Sequence, residues 1–211
     1  MNNVSYSTKN KLTTKELVGT AILITVVFIL QYISGFIKIG PFNITLTLIP
    51  IIVGGIVFGP LSGAILGFVF GAIVTKNVLI GADAGGLILL QYNAVATILI
   101  CLLKSTCAGY LSGVVAHRFG KKDLRIGVLL AAITAPIVNT GLFVIGLFVF
   151  FMEILKQWAG ASQSVALYVI TGLVGVNFLI ELLTNLILVP VALRVVRAAK
   201  LTQNLNEKNE D

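Results

Sequence analysis

The sequence predicts an all-α membrane protein with six transmembrane helices, and three observations carry that reading. Hydrophobic residues make up 57% of the chain and charged residues 11%, with a mean hydropathy of +1.03, which leaves too little polar surface to coat a water-soluble globule. The apolar residues fall in runs close to the roughly 20 residues that cross a bilayer. The basic residues mostly flank those runs, as residues that set membrane orientation do.

Taken in order, the expected spans are 14–34, 43–58, 61–75, 93–117, 125–152 and 165–196. They are expected to form one transmembrane domain, 14–197, between aqueous tails 1–13 and 198–211. The first run, about 17–33, is long enough to span and has no convincing small-residue cleavage site behind it, so it is expected to remain as a helix. The stretch 43–74 carries no charge, yet a straight helix over it would run about 48 Å at about 1.5 Å per residue, far beyond a hydrocarbon core of about 30 Å. Gly59-Pro60 near its midpoint supplies the break, because proline lacks a backbone donor and disfavours helical geometry just before itself.

Six spans put both ends of the chain on one side. Lys9, Lys11, Lys15, Arg118, Lys121, Lys122, Arg125, Arg194, Arg197, Lys200 and Lys208 would share it, against Lys38, Lys76 and Lys156 opposite, so both termini are expected to be cytoplasmic. The net charge of +7 is then orientation information and not a nucleic-acid signature.

Polar residues inside the spans are the candidate site. Lys104 lies well inside the fourth span and Glu181 inside the sixth, where an ionisable group is costly and turns to a cavity or a partner. At 100° per residue Asn93, Thr97 and Lys104 form one stripe, as do Asn177, Glu181, Thr184 and Asn185; the fifth span adds Asn139 and Thr140 after Pro136. These groups could bind a polar or anionic solute, or could instead pair and bond between helices to hold the bundle. The 76–92 stretch reads as a Gly-rich outer loop suited to a lid, with Gln91 and Tyr92 beside Asn93 at its end as further candidates. Tyr92 and Trp158 equally suit a membrane interface. Gly63, Gly67 and Gly71 make a doubled GxxxG, and Ala21 and Thr25 a weaker small-residue pair, each either internal packing or a docking face for a membrane partner.

Absences narrow the function. No GxxxxGK[ST], HExxH, GxSxG or paired-carboxylate pattern occurs, so neither nucleotide hydrolysis nor other enzyme chemistry is expected. The lone His117 beside Arg118 reads as a basic flank, and Cys101 and Cys107 match no metal spacing; no metal or cofactor is expected.

The stretches "FNITLTLIPIIVGGIVFGPLSGAILGFVFGAI", "LLQYNAVATILICLL" and "APIVNTGLFVIGLFVFF" bear a likeness to known sequences. Over nearly its whole length the chain resembles the substrate-binding S components of energy-coupling factor (ECF) vitamin transporters, most closely the pantothenate branch, with hydroxymethylpyrimidine and folate branches near it and riboflavin a further alternative. The resemblance implies a bacterial plasma-membrane protein that captures a vitamin from outside, docks on a transmembrane coupling subunit driven by two ATPase subunits, and topples in the lipid bilayer to deliver its ligand. It also implies docking through small residues of the first helix: in "GTAILITVV" Ala21 is retained and Thr25 stands where the family has a second alanine. Rival readings are a proton-coupled secondary carrier using Glu181 and a membrane scaffold that binds no small molecule.

Overall fold

The computed structural model describes residues 13–36, 38–39, 42–43, 47–160 and 164–210, and of residues 38–39, 42–43 and 200–210 the backbone. The tail 1–12, with Lys9 and Lys11, lies outside the described residues, as do the side chains of Lys38, Lys200 and Lys208.

Helix α1, Thr14–Ser34, starts where a capping box satisfies its first free donors. The Glu16 amide donates to Thr13 Oγ1 at 3.3 Å, and the Thr13 amide donates to Glu16 Oε2 at 2.7 Å. Beyond it come a two-residue antiparallel strand pair, β1 Lys38–Ile39 and β2 Phe42–Asn43, and the short helix α2, Leu48–Val57. The expected second span of 43–58 is thus corrected to ten helical residues, about 15 Å of rise. Nearly every residue of α2 is buried, so it is a core helix enclosed by its neighbours and not a lipid-facing crossing.

The chain does break at Gly59, whose φ of 98° favours glycine, and Pro60 opens α3, Pro60–Leu79. The expected loop 76–92 is corrected as well: α3 runs to Leu79, and α4, Ala84–Tyr92, fills most of the remainder. Asp83 starts α4 by accepting the Gly86 amide on Oδ1 at 2.7 Å. Helix α5, Ala94–Gly120, follows at once, and α6, Leu124–Phe150, contains Pro136. The short helix α7, Met152–Ala159, precedes a last long helical rod. That rod consists of α8, Val165–Tyr168, a π-helical segment Val169–Val174, and α9, Gly175–Glu210. Helix therefore continues through most of the expected aqueous tail 198–211. Five helical stretches, α1, α3, α5, α6 and Val165–Ala199, are long and apolar enough to cross a membrane, and α2 is a shorter apolar helix among the described residues.

Two hydrophobic clusters hold the bundle. One joins α1, α2, α3, α5, α6 and α9 through residues such as Val27, Ile52, Phe70, Ala116, Val128 and Val196. The other gathers Leu89, Ile100, Leu147, Phe151, Leu155 and Leu173 at the end of α4, α7 and the π segment. Around them, large side chains such as Ile22, Phe28, Leu103, Ile145, Val149 and Ile187 are exposed, a surface suited to lipid.

The closest approach is between α3 and α5. A Cβ at Gly63 would meet the Gly109 carbonyl, one at Gly67 the Ser105 carbonyl, and one at Gly71 the Cys101 carbonyl. The steps of four on each helix run in opposite directions, so these antiparallel helices touch backbone to backbone along three turns. This corrects the docking alternative for Gly63, Gly67 and Gly71, whose open face is spent inside the fold. Because the obstacle is backbone, Gly67→Val should destabilise the protein by about 2–3 kcal/mol, a fall in melting temperature in detergent of roughly 5–10 °C. Gly141→Ala, where a Cβ meets nothing within 4 Å, should leave it nearly unchanged; equal melting of the two variants would refute the packing account.

Candidate functional site

One cavity opens between the two hydrophobic clusters. Phe70 and Val74 of α3 form one wall; Leu89, Ile100, Phe151, Leu173 and Val174 form the other. Polar groups reach into it from five elements. Asn77 comes from α3 and Gln31 from α1, Thr97 and Lys104 from α5, Asn139 and Thr140 from α6, and Asn177 and Glu181 from α9, with Asp83 at the start of α4.

Local structure explains each placement. On α5, Thr97, Cys101 and Lys104 follow one another at helical spacing along the cavity face. The Thr97 hydroxyl donates to the Asn93 carbonyl at 2.9 Å, which leaves its oxygen lone pairs toward the cavity. The Lys104 ammonium stands 4.6 Å from the centre of the Phe143 ring. That ring contributes a charge-stabilising contact to the ammonium. An aromatic face stabilises a cation only partly, so the ammonium keeps hydrogen-bonding capacity for something else.

Asn139 is 3% exposed, one turn after Pro136, and its Oδ1 accepts no hydrogen bond among the described residues; Asn177 Oδ1 is in the same condition. Buried amide oxygens are rarely left so, because each costs roughly 1–3 kcal/mol without a donor. On the last rod the π segment carries one extra residue per turn and delivers Leu173 and Val174, then Asn177 and Glu181, to the same wall. Glu181 is 5% exposed. Gln31 is held by the Thr47 hydroxyl, which donates to Gln31 Oε1 at 3.5 Å.

Of the residues that the sequence singles out, the structure brings Thr97, Lys104, Asn139, Thr140, Asn177 and Glu181 together around this cavity. Gln91, Tyr92 and Asn93 lie off this cavity. Asn93 caps α5, accepting the Ala96 amide on Oδ1 at 3.0 Å. Gln91 and Tyr92 are exposed at the end of α4. The Tyr92 hydroxyl donates to Glu153 Oε2 at 3.3 Å, and the Glu153 carboxylate pushes that hydroxyl above its usual range. The Tyr92 ring lies 6.0 Å from that of Phe151, so it backs the cavity wall from outside. Asn185 is buried but lies off the cavity, one turn beyond Glu181.

Sequence reasoning missed Gln31, Asn77 and Asp83. Gln31 sits in the apolar "VFILQYIS" and Asn77 near the end of α3. A polar side chain within an apolar run was the available signal for both, the same one that marks Asn139. The outward face of α1 carries Ala21 and Thr25, both exposed, with the Thr25 hydroxyl turned back onto the Ala21 carbonyl at 3.4 Å.

The arrangement can hold a small polar molecule, presenting one ammonium donor, several acceptors and aromatic walls. No grouping of His, Cys, Asp and Glu suited to a metal ion occurs among the described residues. No curated protein matches the chain. The family model described as ECF transporter, substrate-specific component, matches residues 15–193, a stretch that includes every cavity-lining residue named above. Such components are substrate-binding subunits of transporters and not enzymes. With that match covering most of its length, this multi-pass membrane chain belongs to the family of ECF transporter substrate-specific components.

Proposed function

We propose that the protein is the pantothenate-binding subunit of an ATP-driven importer in the bacterial plasma membrane, and that the cavity between the two hydrophobic clusters is its vitamin site. The observation that carries this reading is the pairing of unmet capacities in one place. Lys104 offers an ammonium beside the Phe143 ring, while Asn139 and Asn177 offer buried amide oxygens that find no donor among the described residues. Pantothenate is complementary to that set: its carboxylate meets the ammonium, and its hydroxyl and amide hydrogens meet the amide oxygens. The apolar walls of Phe70, Val74 and Leu173 suit its branched aliphatic part. Thr97, Thr140 and Glu181 supply the remaining polar contacts, Glu181 as an acceptor of ligand hydroxyls.

Membership of the family implies a vitamin-type substrate and association with the components of an energy-coupling module. In this reading the chain docks on a transmembrane coupling subunit, itself driven by two ATPases, through the exposed Ala21–Thr25 face of α1. It then reorients in the bilayer to release its ligand. Both termini are cytoplasmic, with α2 completing six passes as a short helix enclosed by the bundle. That topology rests on the basic residues at the α5–α6 turn and along the end of α9.

Replacing Lys104 with Met keeps the length of the side chain and removes the charge. With a charge-assisted bond worth about 1.5–3 kcal/mol, pantothenate binding to the purified Lys104→Met protein, measured calorimetrically, should weaken roughly 10- to 100-fold. Unchanged affinity in a folded variant would refute the role given to Lys104. For the topology, single cysteines replacing Thr13 or Gln203 in a chain lacking Cys101 and Cys107 should both react with an impermeant maleimide only after the cells are opened. Labelling of one end in intact cells would contradict it.

A further inference from the structure

The turn between α5 and α6 holds a second feature, remote from the vitamin site and independent of how that site is read. Arg118, Phe119, Lys121 and Lys122 line one surface cleft there. Arg118, Lys121, Lys122 and the neighbouring Arg125 are all exposed. Asp123 closes the turn as the cap of α6, where its Oδ1 accepts the Arg125 amide at 2.8 Å. Arg194 and Arg197, also exposed, lie toward the same end, because Ala192 and Val196 beside them pack in one cluster with Ala116, Val128 and Leu124.

Charge alone would fit any anion, but the patch is not charge alone. Phe119, 46% exposed, stands among the cations. Leu111, Val114 and Arg118 recur at steps of three and four, so they share one face of α5. Leu111 and Val114 are exposed on that face, and Ile126 and Leu129 are exposed on the facing start of α6. Exposed apolar side chains on the last turns of α5 and the first turns of α6 therefore adjoin a cluster of cations. A soluble anion would use only the cluster. A molecule with an anionic head and an apolar chain uses both.

We propose that the α5–α6 turn is a binding site for the phosphate headgroup of an anionic phospholipid. Arg118, Lys121 and Lys122 hold the phosphodiester, Phe119 packs against the glycerol region, and an acyl chain lies along Leu111 and Val114. The site is a lipid anchor point on the body of the protein. It contributes nothing to the affinity of the cavity.

The test is native mass spectrometry of the whole protein in detergent, titrated separately with dioleoylphosphatidylglycerol, dioleoylphosphatidylcholine and glycerol 3-phosphate. Phosphatidylglycerol should be retained at least about fivefold better than phosphatidylcholine, the effect expected of a single well-placed cation, and glycerol 3-phosphate should be retained poorly. Arg118→Gln, Lys121→Gln and Lys122→Gln together should bring phosphatidylglycerol down to the phosphatidylcholine level without changing the melting temperature. Equal retention of the two lipids, undiminished retention by the triple variant, or glycerol 3-phosphate binding as well as the lipid would each overturn the proposal. So would a triple variant that keeps its lipid but no longer co-purifies with the coupling module, which would assign the patch to a protein partner. Should the triple variant not fold, the wild-type protein still decides: phosphatidylglycerol retention must fall as salt is raised while phosphatidylcholine retention does not, and salt-insensitive retention would overturn the proposal.

Discussion

The cost of keeping an ammonium, a carboxylate and several amides at membrane depth governs this structure. In hydrocarbon such groups have no water to turn to, so they must face one another, a cavity or a ligand. The fold answers with a division of surfaces. Large aliphatic and aromatic side chains cover the outside, and Lys104, Asn139, Asn177 and Glu181 converge on one interior cavity. The amide oxygens of Asn139 and Asn177 find no donor within the described residues, and Lys104 leans on an aromatic ring. Buried amide oxygens in this condition offer a polar ligand acceptors that the described residues leave unused, which is the basis of the proposed site.

Rigidity and adaptability are distributed accordingly. Gly63, Gly67 and Gly71 lock α3 to α5 through backbone contact, so the wall carrying Phe70, Thr97 and Lys104 has little freedom to move. The opposite wall is built from Phe151, the π segment and the start of α9. There a non-standard helical turn, and not a run of close-packed glycines, sets which side chains face inward. The short α2, apolar on nearly every face, packs into the core cluster formed with α1, α3, α5, α6 and the later part of α9. The outer face of α1 remains open, with Ala21 and Thr25 exposed.

Much of this is legible in the sequence because lipid imposes simple rules. The four long helices α1, α3, α5 and α6 follow from uninterrupted apolar runs, and the Gly59-Pro60 break follows from chain length against bilayer thickness. The two polar stripes that meet at the cavity, Thr97 with Lys104 and Asn177 with Glu181, follow from a 100° helical step. Other features depend on tertiary context. Helix α4 is hidden because "GADAGGLILLQY" mixes glycine with apolar residues, and only the Asp83 cap distinguishes its start. Gln31 is lost within the high mean hydropathy of α1. A doubled GxxxG shows that something packs closely but not what, and the partner proves to be α5. The π segment has no sequence signal, since its register is decided by what the rest of α9 must reach.

In the proposed function this chain by itself recognises a small polar molecule, while work is supplied by separate subunits. The most direct measurement is the mass of the intact protein, gently released from its own membranes without any partner. The account predicts a one-to-one complex whose extra mass is that of pantothenate, released on denaturation and regained when the vitamin is added back without ATP. A bare chain that stays bare in the presence of pantothenate and of the other vitamins would contradict it.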